Sequence, residues 1–141
     1  MALVDIRPYL RRFILEDSAV AALIGTRFYP VKLEQGQTAP SAVYTRIGGT
    51  GEYAMEGPLT LVHMRLQIDA YAEKSQTMTD VANAIKFRFD GLRGRIQLPG
   101  SPVRIARVQG VFFASERELF DKDSGLYRNS RDYMVHYEER T

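Results

Sequence analysis

The sequence contains no cysteine and no tryptophan, only two histidines, and no long apolar run. Without cysteine, the chain has no disulfide framework, no thiolate zinc site and no thiol nucleophile, which suits a protein made in a reducing cytosol. No segment approaches the roughly 18 apolar residues that a membrane-spanning helix needs. The N-terminus shows no apolar stretch followed by a cleavage site, so we expect neither membrane insertion nor secretion.

The charge of the chain is also modest. The formal net charge is +2, although the isoelectric point is about 9.0. This excess is too small to indicate nucleic-acid binding from charge alone. The length of 141 residues, with 45% hydrophobic and 26% charged residues, is typical of one globular domain. We therefore expect residues 1–141 to form a single domain.

The clearest pattern is the alternation of Leu59–Tyr71, which is followed by a helical period over Ser75–Asp90. Period two predicts a long strand with one apolar and one polar face, and period 3.6 predicts an amphipathic helix. The apolar strand positions are Val62, Met64, Leu66, Ile68 and Ala70. The polar strand positions are His63, Arg65, Gln67 and Asp69. The helical stripe is Met78, Val81, Ile85 and Phe89.

The other elements are arranged around this strand and helix. We expect helices at about Asp5–Leu15, with Asp5 as the cap, and at Ser18–Gly25, with the second helix apolar and buried nearly all round. Further strands are expected at Arg27–Tyr29, Ala42–Ile47, Val103–Ala114 and Tyr127–Glu139, and Gly110 is expected to mark a bulge or a point of close approach. This order predicts an α+β fold with a mainly antiparallel sheet of four to five strands and helices packed on one face.

Three connections are expected to be loops. A polar loop spans Lys32–Pro40, a glycine-rich connection spans Gly48–Pro58, and Gly94–Pro102 is a third loop. The second is longer than a usual hairpin connection and carries apolar side chains, so we expect it either to be mobile or to be ordered by something outside the monomer. The residues proposed for assembly in the first two loops are Gly36, Gly49, Gly51, Tyr53 and Met55.

No catalytic, metal-binding or cofactor-binding residues are expected. His63 and His136 lie 73 positions apart without further ligands at metal spacing. Asp69 and Asp132 could approach each other as an acid–base pair, but Arg65, Arg128 and Arg131 are close enough in the pattern to neutralise them. The glycines at 48–51 lack the lysine and hydroxyl residue of a phosphate loop. The strand aromatics Phe112, Phe113 and Tyr127 fit an RNA-binding sheet, although core packing explains them better.

Charge is divided between two segments of the chain. Residues 86–107 are strongly basic, and an expected acidic turn spans Glu116–Leu126. Opposite charges on one surface suit head-to-tail association between subunits, although both segments could equally be solvated faces. The candidate interface residues are Arg93, Arg95, Arg104, Glu116, Glu118, Asp121 and Asp123.

Four short motifs resemble the tail completion, or tail terminator, family of long-tailed phages, which also occurs in prophages and gene transfer agents. They lie in the family's order and span Ala21–Glu138. The motifs are Ala21–Pro30, Val43–Ile47 with the glycines after it, Arg65–Ala72, and Glu116–Phe120 together with Ser124–Arg128.

The resemblance implies a structural virion protein rather than an enzyme. It implies a ring, usually of six subunits, that caps the tail tube, joins it to the head and is assembled in the bacterial host cytoplasm. The implied partners are other copies of the chain, the tail tube protein and the head–tail connector or neck proteins, without a cofactor or membrane. DNA would pass through without specific binding. Another neck or head-completion ring protein, a nucleic-acid-binding domain and a small hydrolase remain alternatives.

Overall fold

The computed structural model describes residues 3–100 and 103–139. Three helices and six strands lie in these residues, in the order α-α-β-β-β-α-β-β-β. The helices are α1 (Arg7–Leu15), α2 (Ser18–Ile24) and α3 (Ser75–Phe89). The strands are β1 (Phe28–Pro30), β2 (Ser41–Ala54), β3 (Gly57–Ala72), β4 (Gly94–Leu98), β5 (Arg104–Asp121) and β6 (Leu126–Glu138).

The strands form one sheet in the order β1-β2-β3-β6-β5-β4. Every neighbouring pair is antiparallel except β1 and β2, which are parallel. The α+β class and the mainly antiparallel sheet are confirmed, but the expected four to five strands are too few. Strand β4 was missed because its five residues begin with Gly94 and are followed directly by Pro99 and Gly100, a pattern that indicates a loop. Residues 101 and 102 of the predicted third loop lie outside the described residues.

Two expected connections are instead the ends of long hairpins. The pairing of β2 with β3 continues to Ala54 and Gly57, so only Met55 and Glu56 form the turn. Likewise, β5 remains paired with β6 as far as Asp121, so the expected acidic turn is mostly strand. Glycine and charged residues are poor strand formers on average, but pairing with a good neighbouring strand overrides that preference.

The core lies between the helices and one face of the sheet. The buried stripe of α3 consists of Met78, Val81, Ile85 and Phe89, as predicted, together with Ala82. Leu66, Ile68 and the other apolar positions of β3 join the same hydrophobic cluster as the buried residues of all three helices. On β6, Tyr133, Val135 and Tyr137 also contribute to it. We call the opposite side, which carries His63, Arg65, Gln67 and Asp69, the polar face.

The first two helices differ in detail from the prediction. Helix α1 begins at Arg7, with Ile6 rather than Asp5 at the N-cap position. The Asp5 carboxylate accepts a bond from the Arg7 backbone N–H at 3.1 Å and pairs with the Arg7 guanidinium. Helix α2 is not buried all round, because only Val20 and Ile24 are buried while its alanines are exposed. Since alanine has high helix propensity, an apolar run of alanines does not require burial.

The bulge expected at Gly110 is present. The register between β5 and β6 shifts between Val108 and Gly110, and a second shift follows Phe113. A Cβ atom at Gly110 would lie only 2.8 Å from Cζ of Phe112, so the ring occupies the space that a side chain would need. The two shifts bend β5 and set which of its side chains face the helices.

Candidate assembly surfaces

Arginine–carboxylate pairs cover the middle of the polar face. Arg65 Nε donates to Asp132 Oδ2 at 3.0 Å, and Arg128 donates to the buried Asp69 at the same distance. Gln67 adds a bond to Asp69 at 3.0 Å. The expected pairing of the aspartates with arginines is therefore confirmed for Arg65 and Arg128 and is wrong for Arg131. Each of the two carboxylates is thus paired with an arginine of its own.

Arg131, the third arginine that we expected beside the aspartates, lies on the helix side of the sheet. Arg131 is only 8% exposed and donates to Glu116 at 2.6 Å and to Asn83 of α3 at 2.9 Å. Asn129 also donates to Glu116, at 3.1 Å. These two hydrogen bonds, first that of Asn129 and then that of Arg131, lower the pKa of Glu116 below its ordinary value. Glu116 is thus bound within its own subunit.

The two histidines are neighbours across strands β3 and β6. His63 and His136 stand opposite each other with ring centroids 4.1 Å apart in an edge-to-face arrangement. His63 Nε2 lies 2.6 Å from Glu52 Oε1, and the Phe112 ring packs on His136 at 5.2 Å. Burial, followed by the nearby His63, lowers the pKa of His136, while Glu52 acts in the opposite direction. Sequence spacing gave no sign of this contact, since the strand register was needed to find it.

The tip of the β2–β3 hairpin carries the glycines and apolar residues that we associated with assembly. Pairing of β3 with β6 starts at Leu61, and β3 itself begins at Gly57, so the paired strands of the tip extend roughly 13 Å beyond it at about 3.3 Å per residue, and the two-residue turn lies beyond them. Tyr53 is 75% exposed and Met55 is fully exposed. Gly49 and Gly51 lie in β2, and a Cβ atom at Gly49 would come within 3.4 Å of the His63 backbone oxygen. The predicted loop is therefore a projecting arm of the sheet.

The other predicted assembly residue, Gly36, does lie in a loop. Its backbone has a φ of +79°, a conformation that favours glycine. Gln37 next to it donates to the Tyr29 hydroxyl at 3.0 Å and accepts from the Ala39 N–H at 3.1 Å. Residues 34–39 thus form a connection with its own hydrogen bonds, separate from the β2–β3 hairpin.

The candidate basic residues cluster at one end of the molecule. Arg95 lies in β4, Arg93 just before it, and Arg104 opens β5 opposite Leu98. All three are exposed, and none pairs with a carboxylate in residues 3–100 and 103–139.

The candidate acidic residues lie at the other end of β5. Glu118 accepts a long bond of 3.5 Å from Asn129, and Asp121 accepts from the hydroxyl of Ser124 and the N–H of Asp123 in the turn. The Ser124 bond and then the Asp123 bond lower the pKa of Asp121. From Arg104 to Glu116, the strand spans roughly 40 Å at about 3.3 Å per residue. The structure thus separates the two charged segments along the length of the subunit.

In the described part of the chain, no cluster of three histidine, aspartate or glutamate side chains has the geometry to hold a metal ion. None of the helices there is long and apolar enough to cross a membrane. The described residues thus form a small α+β domain with a projecting β2–β3 hairpin and with the candidate basic and acidic residues at opposite ends of β5.

The sequence matches the family of the tail completion protein gp17 over residues 8–138. The chain belongs to this family, and it is a structural virion protein of a phage-type tail. The resemblance noted in the sequence motifs is therefore confirmed. None of the curated proteins compared matches the chain.

A similar fold occurs in a solved structure described as the virion of a native gene transfer agent particle. One of its chains matches with a TM-score of 0.70 at 13% sequence identity, covering 94% of this chain and 97% of the other. At this low identity, the likeness establishes a shared fold over nearly the whole length of both chains.

Proposed function

We propose that six copies of the chain form a ring that terminates the tail tube and joins it to the head. Membership of the tail completion family supports a position at an end of the tail. The solved chain with the same fold is part of a gene transfer agent virion, which supports a place in an assembled particle. The partners in this proposal are further copies of the chain, the tail tube protein and the connector or neck proteins.

The observation that carries the proposal is the separation of opposite charges along β5. A ring built by rotation needs two different, complementary patches on each subunit. The exposed Arg93, Arg95 and Arg104 supply a basic patch, and Glu118, Asp121 and Asp123 supply an acidic patch at the far end. Glu116 contributes less than the sequence suggested, because Arg131 and Asn129 already hold it.

The polar face disfavours the alternative of a nucleic-acid-binding sheet. Arg65, Arg128 and His63 each lie against a carboxylate, of Asp132, Asp69 and Glu52 respectively. A surface that grips phosphates needs unpaired positive charge, because its affinity comes from neutralising phosphates and releasing their counterions. Balanced pairs instead fit a conduit through which DNA passes without specific binding.

Particles assembled without this chain test the proposal. Without a terminating ring, tubes should grow to uncontrolled lengths and heads should remain unjoined, which negative-stain microscopy measures directly. Reintroducing the chain on a plasmid is the control and should restore uniform, joined tails. Tubes of normal length with unjoined heads would instead favour the alternative of another neck or head-completion ring protein.

Charge reversal tests the patches themselves. Arg93→Glu with Arg95→Glu should weaken self-association at low salt, and Glu118→Lys with Asp123→Lys should partly restore it in the same chain. Exposed pairs contribute only about 0–1 kcal/mol each, so several must change together. The effect should shrink at 1 M salt, where the screening length is about 3 Å. Sedimentation of the parent and the variants at both salt concentrations measures this. Unchanged association at low salt would place the contact elsewhere.

A further inference from the structure

An apolar groove opens between the start of the chain, α1 and strands β4 and β5. It has a volume of about 400 Å³ and is lined by Leu3, Pro8, Leu98 and Ile105, among others. Leu3 and Ile105 are 67% and 44% exposed. The described residues thus leave a concave apolar surface uncovered at the basic end of the subunit.

The β2–β3 hairpin tip has the complementary shape. Its turn consists of two residues, so the tip is about as wide as two paired strands, whose axes are roughly 4.8 Å apart. Met55 is fully exposed there, and Tyr53 and Leu59 are 75% and 43% exposed, so all three present apolar surface to solvent. A narrow projection with a fully exposed methionine at its end suits insertion into a groove, because an unbranched thioether adapts to irregular apolar space.

The charges of the two surfaces are also complementary. Residues 48–59 contain Glu52 and Glu56 and no basic residue. Glu52 is engaged with His63, so Glu56 in the turn is the acid available at the tip. The groove carries Arg104, whereas its acidic residue, Asp5, is already paired with Arg7 at 3.0 Å. An acidic apolar tip therefore faces a basic apolar groove.

We propose that the hairpin tip of one subunit occupies the groove of a second copy of the chain. This inference rests on the proposed ring and identifies an apolar contact within it, in addition to the charged patches. The tip continues β2 and β3, whereas the groove is lined by β5 and β4, two and three strand spacings or roughly 10–14 Å from β3. Because the two surfaces differ and are displaced sideways, the contact is head-to-tail and can repeat around a ring.

The strength of the contact follows from the area covered. Fully burying a side chain of methionine size is favourable enough to change association by roughly ten- to a hundred-fold. Met55→Asp should therefore weaken self-association by at least about ten-fold, whereas Met55→Leu should leave it within a few-fold of the parent. Equal association of the Asp variant and the parent would remove the tip from the interface.

Cross-linking tests which surface the tip meets, and the absence of natural cysteine makes the experiment clean. We expect a mixture of Met55→Cys and Ile105→Cys chains to form a disulfide-linked or short bis-maleimide-linked dimer. Neither single variant should do so alone, because a head-to-tail contact places each cysteine against a non-cysteine surface. Phe87→Cys, on the exposed surface of α3, is the matched control and should not link to Met55→Cys.

The outcomes separate this contact from the ring itself. If the measured mass shows a ring, but Met55→Cys links to Phe87→Cys as readily as to Ile105→Cys, the groove contact is overturned and the proposed ring is not. Linking of Met55→Cys to itself would indicate a two-fold contact and overturn the head-to-tail arrangement. A parent that stays monomeric at all concentrations, with no cross-link in the mixture, overturns both proposals.

Discussion

Replacing Ile68 with alanine tests the assignment of the core face. The side chain is only 4% exposed and belongs to the same hydrophobic cluster as Val81 and Ile85 of α3. The change removes three carbon atoms, and at about 0.8 kcal/mol for each buried CH₂ the lost transfer free energy is about 2.4 kcal/mol. The cavity left behind adds to this loss, so the free energy of unfolding should fall by about 2–5 kcal/mol.

Urea denaturation followed by circular dichroism measures this change, at a fixed protein concentration because self-association contributes to apparent stability. The dependence on urea should keep its slope, since the surface exposed on unfolding hardly changes. Ile47→Ala is the matched control: Ile47 is 44% exposed in β2, so the same substitution there should cost less than about 0.5 kcal/mol. A loss below 1 kcal/mol at Ile68, or equal losses at both positions, would refute the assigned face.

Three further predictions concern pH, the bulge and the loop. The pKa of His136 in the folded chain lies below its ordinary value of 6.5, so the stability linked to it should be complete above pH 6.5 and should decline as the pH falls towards the folded pKa. The melting temperature of His136→Gln should therefore change less between pH 7 and pH 5 than that of the parent. Gly110→Ala should cost about 1 kcal/mol in urea denaturation because the Phe112 ring must turn aside, and the cost should vanish in a Phe112→Ala background. Residues 34–39 should exchange their amide hydrogens faster in the isolated subunit than in the assembly, and equal protection would show that assembly does not order them.

The central strand and helix could be predicted from sequence because their burial is periodic. Leu66 and Ile68 alternate with Arg65 and Gln67, and the α3 stripe repeats at helical spacing, so each element has one clear apolar face. The arginine–carboxylate pairs followed from the same alternation. The pattern of apolar and polar residues along the chain was sufficient to predict these features.

The long hairpins and the histidine contact could not be predicted in the same way. Glycine at positions 48, 49 and 51 is typical of a loop, yet these residues are held in β2 by pairing with β3. Similarly, His63 meets His136 only because of the register between two strands that are distant in sequence. The groove beside Leu98 required the position of β4, whose short sequence between glycine and proline gave no strand signal. Non-local pairing determines all three features.

The mass of the purified, native chain tests the central claim most directly. We expect a closed ring of six copies, about 96 kDa, as six times the 16.0 kDa of one chain. Native mass spectrometry and sedimentation across a range of concentrations should show this species without larger open-ended polymers, because a head-to-tail contact that closes leaves no free patch. A monomer at every concentration, or a continuous ladder of polymers, would contradict the account.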